Sequence, residues 1–386
     1  MSTHRLLFLG AGFSNLAGLP LGPELFREVR HRINDDHGSD NHVERDLKRF
    51  INYQHRCFDR IIRPENVDCE EFLGFLDVEH YLGLKGKDTW SSAGNESQLM
   101  VRKAIGQAIH AKTPEPSNIP DAYRRFAGRL TSTDYILTFN YDALLERTFD
   151  LEGIPYRLFP DRYSEVHPLS CTIDSRRDDE IVLLKLHGSV DWFCRDAFDE
   201  HIQLVRETPN MFPVGYQPND PIFGHDAIVS PIPITDGPRP EDDPLTSLYR
   251  VAELNQVLAQ PWWKCAPFIL SPSTSKLFYA KHILGFWRGL QRAGGLNLSL
   301  GIVGYSLPKY DDYAMQAIYH IARNYQHYEP DFTSNGRTKT KVRIVDFLTT
   351  ESAAIAFRHR YRFLDWDRTE TYFSGFDNNA VDWLMR

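Results

Sequence analysis

The chain has 386 residues, of which 42% are hydrophobic and 25% are charged, and these ordinary values allow a substantial buried core. Its formal net charge of −8 disfavours direct binding of nucleic acid, because such binding depends on clustered Lys and Arg. The apolar run over residues 6–9 is too short for a signal peptide or a membrane span, so we expect a cytoplasmic protein without a membrane partner.

Six short apolar runs are typical of buried parallel strands, each followed by a turn and a helix-like segment. In chain order they cover residues 6–9, 135–139, 181–186, 268–270, 298–303 and 342–347. Strands that alternate with helices predict an α/β fold with a doubly wound, Rossmann-like parallel sheet of about six strands.

The segment 35–130 interrupts this alternation, because it contains no convincing strand. Apolar residues recur there at intervals of three and four positions, which predicts helices. The segments with this pattern are residues 43–62, 69–84 and 97–111. We interpret residues 35–130 as a helical insertion that forms a second, smaller domain.

A second interruption spans residues 195–263 and contains the sequence IVSPIPITDGPRPEDDP. A long proline-rich stretch of this kind is either a surface excursion or a loop that covers a substrate or contacts another subunit. We interpret it as a proline-rich irregular insertion. The remaining residues, 1–34, 131–194 and 264–386, then form the Rossmann-like domain.

The first strand leads into the turn Gly10-Ala11-Gly12, where the absence of side chains lets a phosphate approach backbone N–H groups. A purely structural turn explains the same residues equally well. A dehydrogenase-type site needs a third glycine, where Asn15 stands, and a second strand that ends in an acid. The charged sequence REVRHRINDDHGSDNH is unsuited to that strand. The turn therefore favours a nucleotide site that is not a standard hydride-transfer site.

Polar and small residues follow the later strands, where open parallel sheets bind their ligands. They are Asn140 and Asp142, His187 and Gly188, Gly304, Tyr305 and Ser306, and Asp346. A histidine in this position can titrate near neutral pH and serve as a base. Each residue has a structural alternative: the first two can cap a helix, and the others can serve in turns or packing. Asp311 and Asp312 are predicted to cap the helix after the Gly304 turn.

The five cysteines are Cys57, Cys69, Cys171, Cys194 and Cys265. No two of them form a CxxC pair. Spacing of this kind predicts reduced structural thiols in a cytosolic protein. We therefore expect no zinc and no other metal site.

Four motifs occur in a fixed order along the chain. They are Gly10-Ala11-Gly12-Phe13-Ser14 (GAGxS), Thr138-Phe139-Asn140-Tyr141-Asp142 (TxNxD), His187-Gly188 (HG) and Gly304-Tyr305-Ser306-Leu307 (GxSL). Together they resemble the motifs of the Sir2 (sirtuin) superfamily, and more closely those of its bacterial SIR2-like branch in anti-phage defence systems. The deacylases of this family carry two CxxC pairs that hold zinc and a PDFR-like run. This chain has no such pairs, and its run reads LPLGP, so both departures weigh against protein deacylation.

The resemblance implies NAD+ as the substrate, with His187 as the catalytic base. It further implies that Asn140 orients the attacking group near the nicotinamide ribose and that Asp142 contacts the nicotinamide amide. Of the residues expected to bind the nucleotide, Gly10, Ala11, Gly12 and Ser14 would surround the phosphates and ribose, and Gly304, Ser306 and Asp346 would line the adenosine side. Asn15, Thr138 and Gly188 complete the expected binding residues.

The resemblance, together with the two departures from the deacylases, implies an NAD+ hydrolase that releases nicotinamide and ADP-ribose and serves anti-phage defence by depleting NAD+. Such an activity must be controlled, and the resemblance suggests a homo-oligomer or a partner such as a HerA-type ATPase or an Argonaute-like protein. Two alternatives remain open. One is an NAD-dependent protein deacylase, and the other is a non-catalytic sensor that binds NAD or ADP-ribose.

Overall fold

The protein is described here from a computed structural model, which describes residues 4–85, 91–168, 170–174, 179–261, 265–273, 275–287, 297–308, 310–327 and 339–386. Its strands are β1 (Arg5–Leu9), β2 (Tyr135–Thr138), β3 (Tyr156–Arg157), β4 (Tyr163–His167), β5 (Ser170–Ile173), β6 (Ile181–Lys185), β7 (Trp192–Cys194), β8 (Ile232–Pro233), β9 (Leu248–Arg250), β10 (Ser299–Val303), β11 (Val342–Val345) and β12 (Thr369–Tyr372).

The α-helices lie between and after these strands along the chain, with six of them between β1 and β2. They are α1 (Ala11–Ser14), α2 (Gly22–His37), α3 (His42–Phe58), α4 (Cys69–Tyr81), α5 (Glu96–Lys112), α6 (Asp121–Ala127), α7 (Leu144–Glu152), α8 (Asp196–Glu207), α9 (Leu254–Leu258), α10 (Asp312–His327), α11 (Glu351–Arg360) and α12 (Asn378–Leu384). No helix within the described ranges is both long and apolar enough to cross a membrane.

A parallel sheet of seven strands forms the centre of the fold, in the order β12-β11-β10-β1-β2-β6-β3. The α/β, doubly wound, Rossmann-like prediction is therefore confirmed. Strands β2, β6 and β3 lie on one side of β1, in that spatial order. Strands β10, β11 and β12, which come later in the chain, lie on the other side. The order reverses between β1 and β10, and ligands bind at such a switch point in open α/β sheets.

The burial of each strand explains whether the sequence analysis could recognise it. Every residue of β1, β6 and β10 is buried, because helices cover both faces of a parallel sheet, and such strands read as continuous apolar runs. β3 has only two residues, and β12 reads TETY and is mostly half-buried. Neither has an apolar run, so neither was predicted.

The run at residues 268–270 is not a strand of the central sheet, which corrects its prediction. It forms only an isolated bridge, between Ile269 and Gly188. Its backbone instead bonds to the segment after β6, since Phe268 N donates to Trp192 O at 2.7 Å and Leu270 N donates to His187 O at 2.9 Å. The run is apolar because it is buried against that segment.

The segment 35–130 is helical, as its apolar spacing predicts, and its described residues contain no strand. Its three predicted helices correspond to α3, α4 and α5. Asn95 and Gln98 form a reciprocal capping box that begins α5, and α2, α3 and α4 all pack against this helix. The proposed division into domains stays a prediction.

Residues 195–263 are less irregular than expected, because they contain α8, β8, β9 and α9. β9 pairs with β7 and β8 in a small antiparallel sheet, and β4 pairs with β5 in a hairpin.

Candidate functional site

The loops after β1 and β10 touch at the switch point of the sheet. Gly10 N donates to Val303 O and Gly12 N donates to Gly304 O, each at 2.9 Å. A Cβ atom on Gly12 would lie 2.8 Å from the Cα atom of Gly304, and one on Gly10 would lie 2.6 Å from the Gly304 carbonyl oxygen. Gly304 itself has a φ of +61°, which disfavours any side chain. These glycines allow the two loops to pack directly together.

This packing occupies backbone N–H groups from which a bound phosphate would otherwise accept hydrogen bonds. The N–H groups of Gly10 and Gly12 are bonded to the β10 segment, and Phe13 N donates to Gly10 O at 2.9 Å. The structure thus gives the two glycines a role in loop packing. Ala11 and Asn15 lie exposed beside this turn, and nucleotide binding by the loop stays a prediction.

Three polar side chains from distant parts of the chain meet behind the glycine turn. The Ser14 hydroxyl donates to Asp142 Oδ2 at 2.8 Å, and Asn140 Nδ2 donates to the Ser14 oxygen at 3.0 Å. Ser14 is 1% exposed. We call Ser14, Asn140 and Asp142 the amide–carboxylate cluster. The GAGxS and TxNxD motifs therefore converge, as parallel strands ending at one sheet edge require.

The turn after β2 holds this cluster in place. Thr138 Oγ1 accepts the Asn140 N–H at 3.1 Å, which fixes the backbone where the strand ends. Asp142 Oδ1 accepts the Leu144 N–H at 3.1 Å, so this carboxylate also satisfies a donor at the start of α7. The N-cap residue of α7 is Ala143, so Asp142 supports the start of this helix from the preceding position while it also contacts Ser14. Thr138 is buried and serves the turn.

His187 follows β6 and lies in an aromatic enclosure. Its ring is 5.1 Å from Phe139 and 6.1 Å from Tyr141, measured between ring centroids. Its Nε2 atom forms a hydrogen bond with the Tyr313 hydroxyl. Burial, and then the nearby charge of Lys276, lowers the pKa of His187 to about 3, because an imidazolium loses its hydration there. The imidazole is therefore neutral at neutral pH.

A buried ion pair lies beside this enclosure. Lys276 pairs with Asp311, and both side chains are almost fully buried, at 2% and 6% exposure. The Tyr305 hydroxyl donates to Asp311 Oδ2 at 2.8 Å. The predicted capping role of Asp311 therefore does not describe its side chain, whose described partners are a cation and a hydroxyl. Asp312 is the first residue of α10.

The amide–carboxylate cluster and His187 lie on the two sides of one short segment. Successive side chains of an extended chain alternate in direction, so Asn140 points toward Ser14 while Phe139 and Tyr141 contact His187. No hydrogen bond among the described residues joins the His187 ring to the Asn140 side chain. The structure brings His187 to the same sheet edge as the cluster but not into contact with it.

The remaining predicted residues occupy turns at this edge. Gly188 has a φ of +77°, and a Cβ atom there would overlap the Phe268 carbonyl oxygen. Ser306 is exposed, and its carbonyl accepts a hydrogen bond from Arg360 Nε at 2.8 Å. Asp346 Oδ1 accepts the N–H of the next residue at 2.7 Å, and burial raises the pKa of Asp346. These contacts are those of ordinary turns, which were the structural alternative for these residues. Their contacts with adenosine stay predictions.

The three predicted catalytic residues are buried in the described conformation, which we call the closed state. His187, Asn140 and Asp142 are 5%, 8% and 9% exposed. Two surface cavities of about 560 and 470 Å³ lie elsewhere, one beside Lys103 and Leu258 and the other beside Arg162 and Asp236. The described residues thus leave little of the three predicted catalytic side chains exposed.

Two residues beside the site, Lys185 and Tyr313, were not identified from the sequence. Lys185, the last residue of β6, is fully buried, pairs with Glu146 at 2.7 Å and donates to the Asp142 carbonyl oxygen. A lysine that ends an otherwise apolar strand could have indicated such a pair. Tyr313 comes from a helix far along the chain, and the spacing of the sequence gives no indication that it reaches His187.

The fold and the site define an α/β protein with a candidate ligand site at the switch point of its sheet. Residues 134–223 match the family model of the SIR2-like domain, and this match confirms the resemblance to the Sir2 superfamily. The matched segment contains Asn140, Asp142 and His187.

Solved structures were also compared with the chain. One is described as "The Structural basis of Sirtuin Substrate Affinity", with 13% identity, coverage of 99% of this chain and 92% of the other, and a TM-score of 0.31. Another is "Structure of Sir2Tm bound to a propionylated peptide", with 13% identity, 99% and 91% coverage, and a TM-score of 0.30. Likeness at these values carries no argument about function. A search of curated proteins found no match.

Proposed function

We propose that the chain is an NAD+ hydrolase that cleaves the bond between nicotinamide and ribose to give nicotinamide and ADP-ribose. The observation that carries this proposal is the amide–carboxylate cluster. Ser14 lies 126 and 128 positions from Asn140 and Asp142 in the sequence, and yet their side chains bond together at the switch point. A carboxamide such as that of nicotinamide presents N–H donors and a carbonyl acceptor, which match a carboxylate and a side-chain amide.

Cleavage of the bond between nicotinamide and ribose depends more on the positions of substrate and water than on a general acid. Glycosidic cleavage passes through an oxocarbenium-like transition state, and nicotinamide leaves as a neutral molecule, so the leaving group needs no proton. Water then forms the new C–O bond at the ribose carbon and gives up one proton. Asn140 orients the water or the ribose hydroxyls, Asp142 holds the nicotinamide amide, and His187 accepts the proton directly or through a ribose hydroxyl.

The closed site fits a regulated enzyme. Free hydrolysis of NAD+ would harm the host cell, and here the Tyr313 hydroxyl occupies the Nε2 atom of His187. We propose that the protein is a cytoplasmic effector of bacterial anti-phage defence. Assembly into a homo-oligomer, or a partner such as a HerA-type ATPase or an Argonaute-like protein, would open the site during infection.

The test is to incubate the purified chain with NAD+, with and without an acetylated peptide or DNA, and to follow nicotinamide and ADP-ribose. Turnover without peptide supports hydrolysis. Turnover that requires acetylated peptide would indicate the deacylase alternative. Binding of NAD+ without any turnover would indicate the sensor alternative.

His187→Ala should reduce the rate of NAD+ consumption by about 10²- to 10⁴-fold, the usual contribution of a general base. The matched control is His225→Ala, because His225 is an exposed loop residue remote from the site. Circular dichroism should show that both variants are folded. A His187→Ala protein with the rate of the unmodified chain would remove this histidine from the mechanism.

A further inference from the structure

A cysteine, an aspartate and a histidine converge between β7, α8 and the segment Lys281–Trp287. Cys194 is the last residue of β7, Asp196 begins α8, and His282 lies 88 positions beyond Cys194. The Cys194 Sγ atom is 3.4 Å from His282 Nε2, and His282 Nε2 is 2.8 Å from Asp196 Oδ2. All three potential ligand atoms lie within 4.8 Å of one another.

We propose that these three residues form a binding site for a divalent transition metal, with Zn²⁺ as the preferred ion. Thiolate, imidazole and carboxylate are the three ligand types that zinc takes in proteins. Mixed soft and borderline ligands disfavour Mg²⁺ and Ca²⁺, which prefer oxygen atoms. With three protein ligands, a fourth tetrahedral position remains for water or another small ligand.

The distances between the ligand atoms suit this ion. Zinc bonds of about 2.3 Å to sulfur and about 2.0–2.1 Å to nitrogen or oxygen place tetrahedral ligands about 3.5 Å apart for sulfur and nitrogen, and about 3.4 Å apart for nitrogen and oxygen. Cys194 and His282 already have this separation. The His282–Asp196 hydrogen bond must lengthen by about 0.6 Å, a change within the reach of side-chain rotation.

Nε2 is the ring nitrogen of His282 that faces Cys194 and Asp196. With the metal on Nε2, the neutral ring carries its proton on Nδ1, which is buried and has no hydrogen-bond partner among the described residues, and this unpaired donor is a cost of binding. The Phe268 ring packs edge-on against His282 at 5.2 Å and gives the site an apolar wall. Lys281 Nζ, which is exposed, lies 3.8 Å from Asp196 Oδ2 and is the charge that a metal ion would displace.

A metal ion requires both Asp196 and Cys194 in their deprotonated forms, and the free-energy cost of deprotonation differs between the two. Asp196 is already ionised at neutral pH, because the hydrogen bond from His282 lowers the pKa of this carboxyl to about 2. Burial raises the pKa of the Cys194 thiol to about 12.

This site is distinct from the paired cysteines of the deacylases in the resembling family, since it contains one cysteine and draws on residues that no CxxC spacing identifies. Our expectation of no zinc site depended on that spacing alone. The proposed ion would connect β7 and α8 to the segment that contains His282. Phe268 packs on His282 and accepts the Ser189 N–H at 3.1 Å, so the metal would support the turn that follows His187. The proposal does not depend on the proposed hydrolase activity.

The decisive experiment titrates the full-length protein, after removal of metal with a chelator, with Co²⁺ as a spectroscopic substitute for Zn²⁺. We expect one equivalent to bind with a near-ultraviolet thiolate-to-cobalt charge-transfer band and the visible bands of tetrahedral cobalt, and Zn²⁺ should abolish both. If the folded protein, verified by circular dichroism, develops no thiolate band with Co²⁺, the three residues are only a hydrogen-bonded cluster and the proposal is wrong.

Variants identify the ligands. Cys194→Ser should abolish the charge-transfer band, and Asp196→Asn, which keeps the shape of the side chain, should weaken Co²⁺ binding by at least about tenfold, since loss of outer-sphere partners alone costs that much. Cys57→Ser is the matched control, because Cys57 is exposed and should leave the spectrum unchanged. A folded Asp196→Asn protein with unchanged affinity, or a Cys194→Ser protein that keeps the band, would overturn the assignment.

Discussion

His187 is the proposed catalytic base, and yet its surroundings in the conformation described suit this role poorly. Its Nε2 atom is bonded to Tyr313, and its pKa is lowered to about 3, mainly by burial. A general base works best when its pKa is close to the working pH. In the proposed function, hydration of the ring when the substrate enters would raise its pKa toward the ordinary value near 6.5 and would improve the proposed base.

The same burial predicts a pH dependence of stability. Between pH 6.5 and about 3 the histidine binds a proton in the unfolded chain but not in the folded protein, so the unfolded state carries more protons there. Stability therefore falls as the pH decreases through this window, by up to about 1.4 kcal/mol per pH unit from this residue. Above pH 7 the contribution is constant.

Urea unfolding of the unmodified chain and of His187→Gln at several pH values between 7 and 4.5 measures this effect. Glutamine does not titrate, so the variant should lose stability less steeply on acidification. His225→Gln, at an exposed site, should keep the slope of the unmodified chain. Equal slopes for all three proteins would show that His187 is not held neutral by the fold.

At the scale of elements, the contact between the β1 and β10 loops determines the geometry of the switch point. Gly12→Ala should destabilise the protein by about 1–3 kcal/mol, the usual cost of forcing extra atoms into a packed region, because the new Cβ would lie 2.8 Å from Gly304 Cα. The free energy of unfolding in urea measures the effect.

Gly22→Ala is the matched control for this prediction. Gly22 is the first residue of α2, no atom lies within 4 Å of the position of its Cβ, and alanine favours helix. The control should be neutral or slightly stabilising. If Gly12→Ala were as stable as this control, the loops would have room to separate, and the glycine turn would be free to hold a phosphate as first expected.

The element scale also shows what the sequence could predict. Buried parallel strands are continuous apolar runs, so β1, β2, β6, β10 and β11 could be recognised, and with them the sheet edge where Asn140 and His187 lie. β12 reads TETY and lacks this signal. Residues 268–270 form an apolar run but not a strand of the central sheet. Burial against residues 187–192 requires the same apolar residues as burial in a sheet.

The site was predictable only in part, for a related reason. Residues that directly follow strands can be located from the strands themselves, which is why Asn140, Asp142 and His187 could be placed at one edge of the sheet. The bonds of Ser14 to Asn140 and Asp142 were not predicted. Contacts made across the molecule by helices and irregular segments leave no periodic pattern. Tyr313 and Lys276 reach His187 in this way, and His282 reaches Cys194 from 88 positions away.

At the scale of the whole molecule, the structure describes a closed state. The Lys276–Asp311 pair, the Tyr305 hydroxyl and Tyr313 form a polar layer beside His187. These residues come from α10 and from the segments before it, whereas the amide–carboxylate cluster comes from the other half of the sheet. Because β1 pairs with both β10 and β2 in one continuous sheet, we propose that access for a substrate comes from movement of these covering segments and not from separation of the two sides of the sheet.

Tyr313→Phe tests this reading of the closed state together with the proposed hydrolase activity. The change removes the hydroxyl that bonds to His187 and leaves the ring in place, so the closed state loses a hydrogen bond worth about 0.5–1.5 kcal/mol. We expect kcat/KM for NAD+ to rise by about 2- to 10-fold. Tyr319→Phe removes a hydroxyl from the same helix, where the ring packs against Phe363, and should change nothing. A Tyr313→Phe enzyme as inactive as His187→Ala would instead make this hydroxyl part of the catalytic machinery.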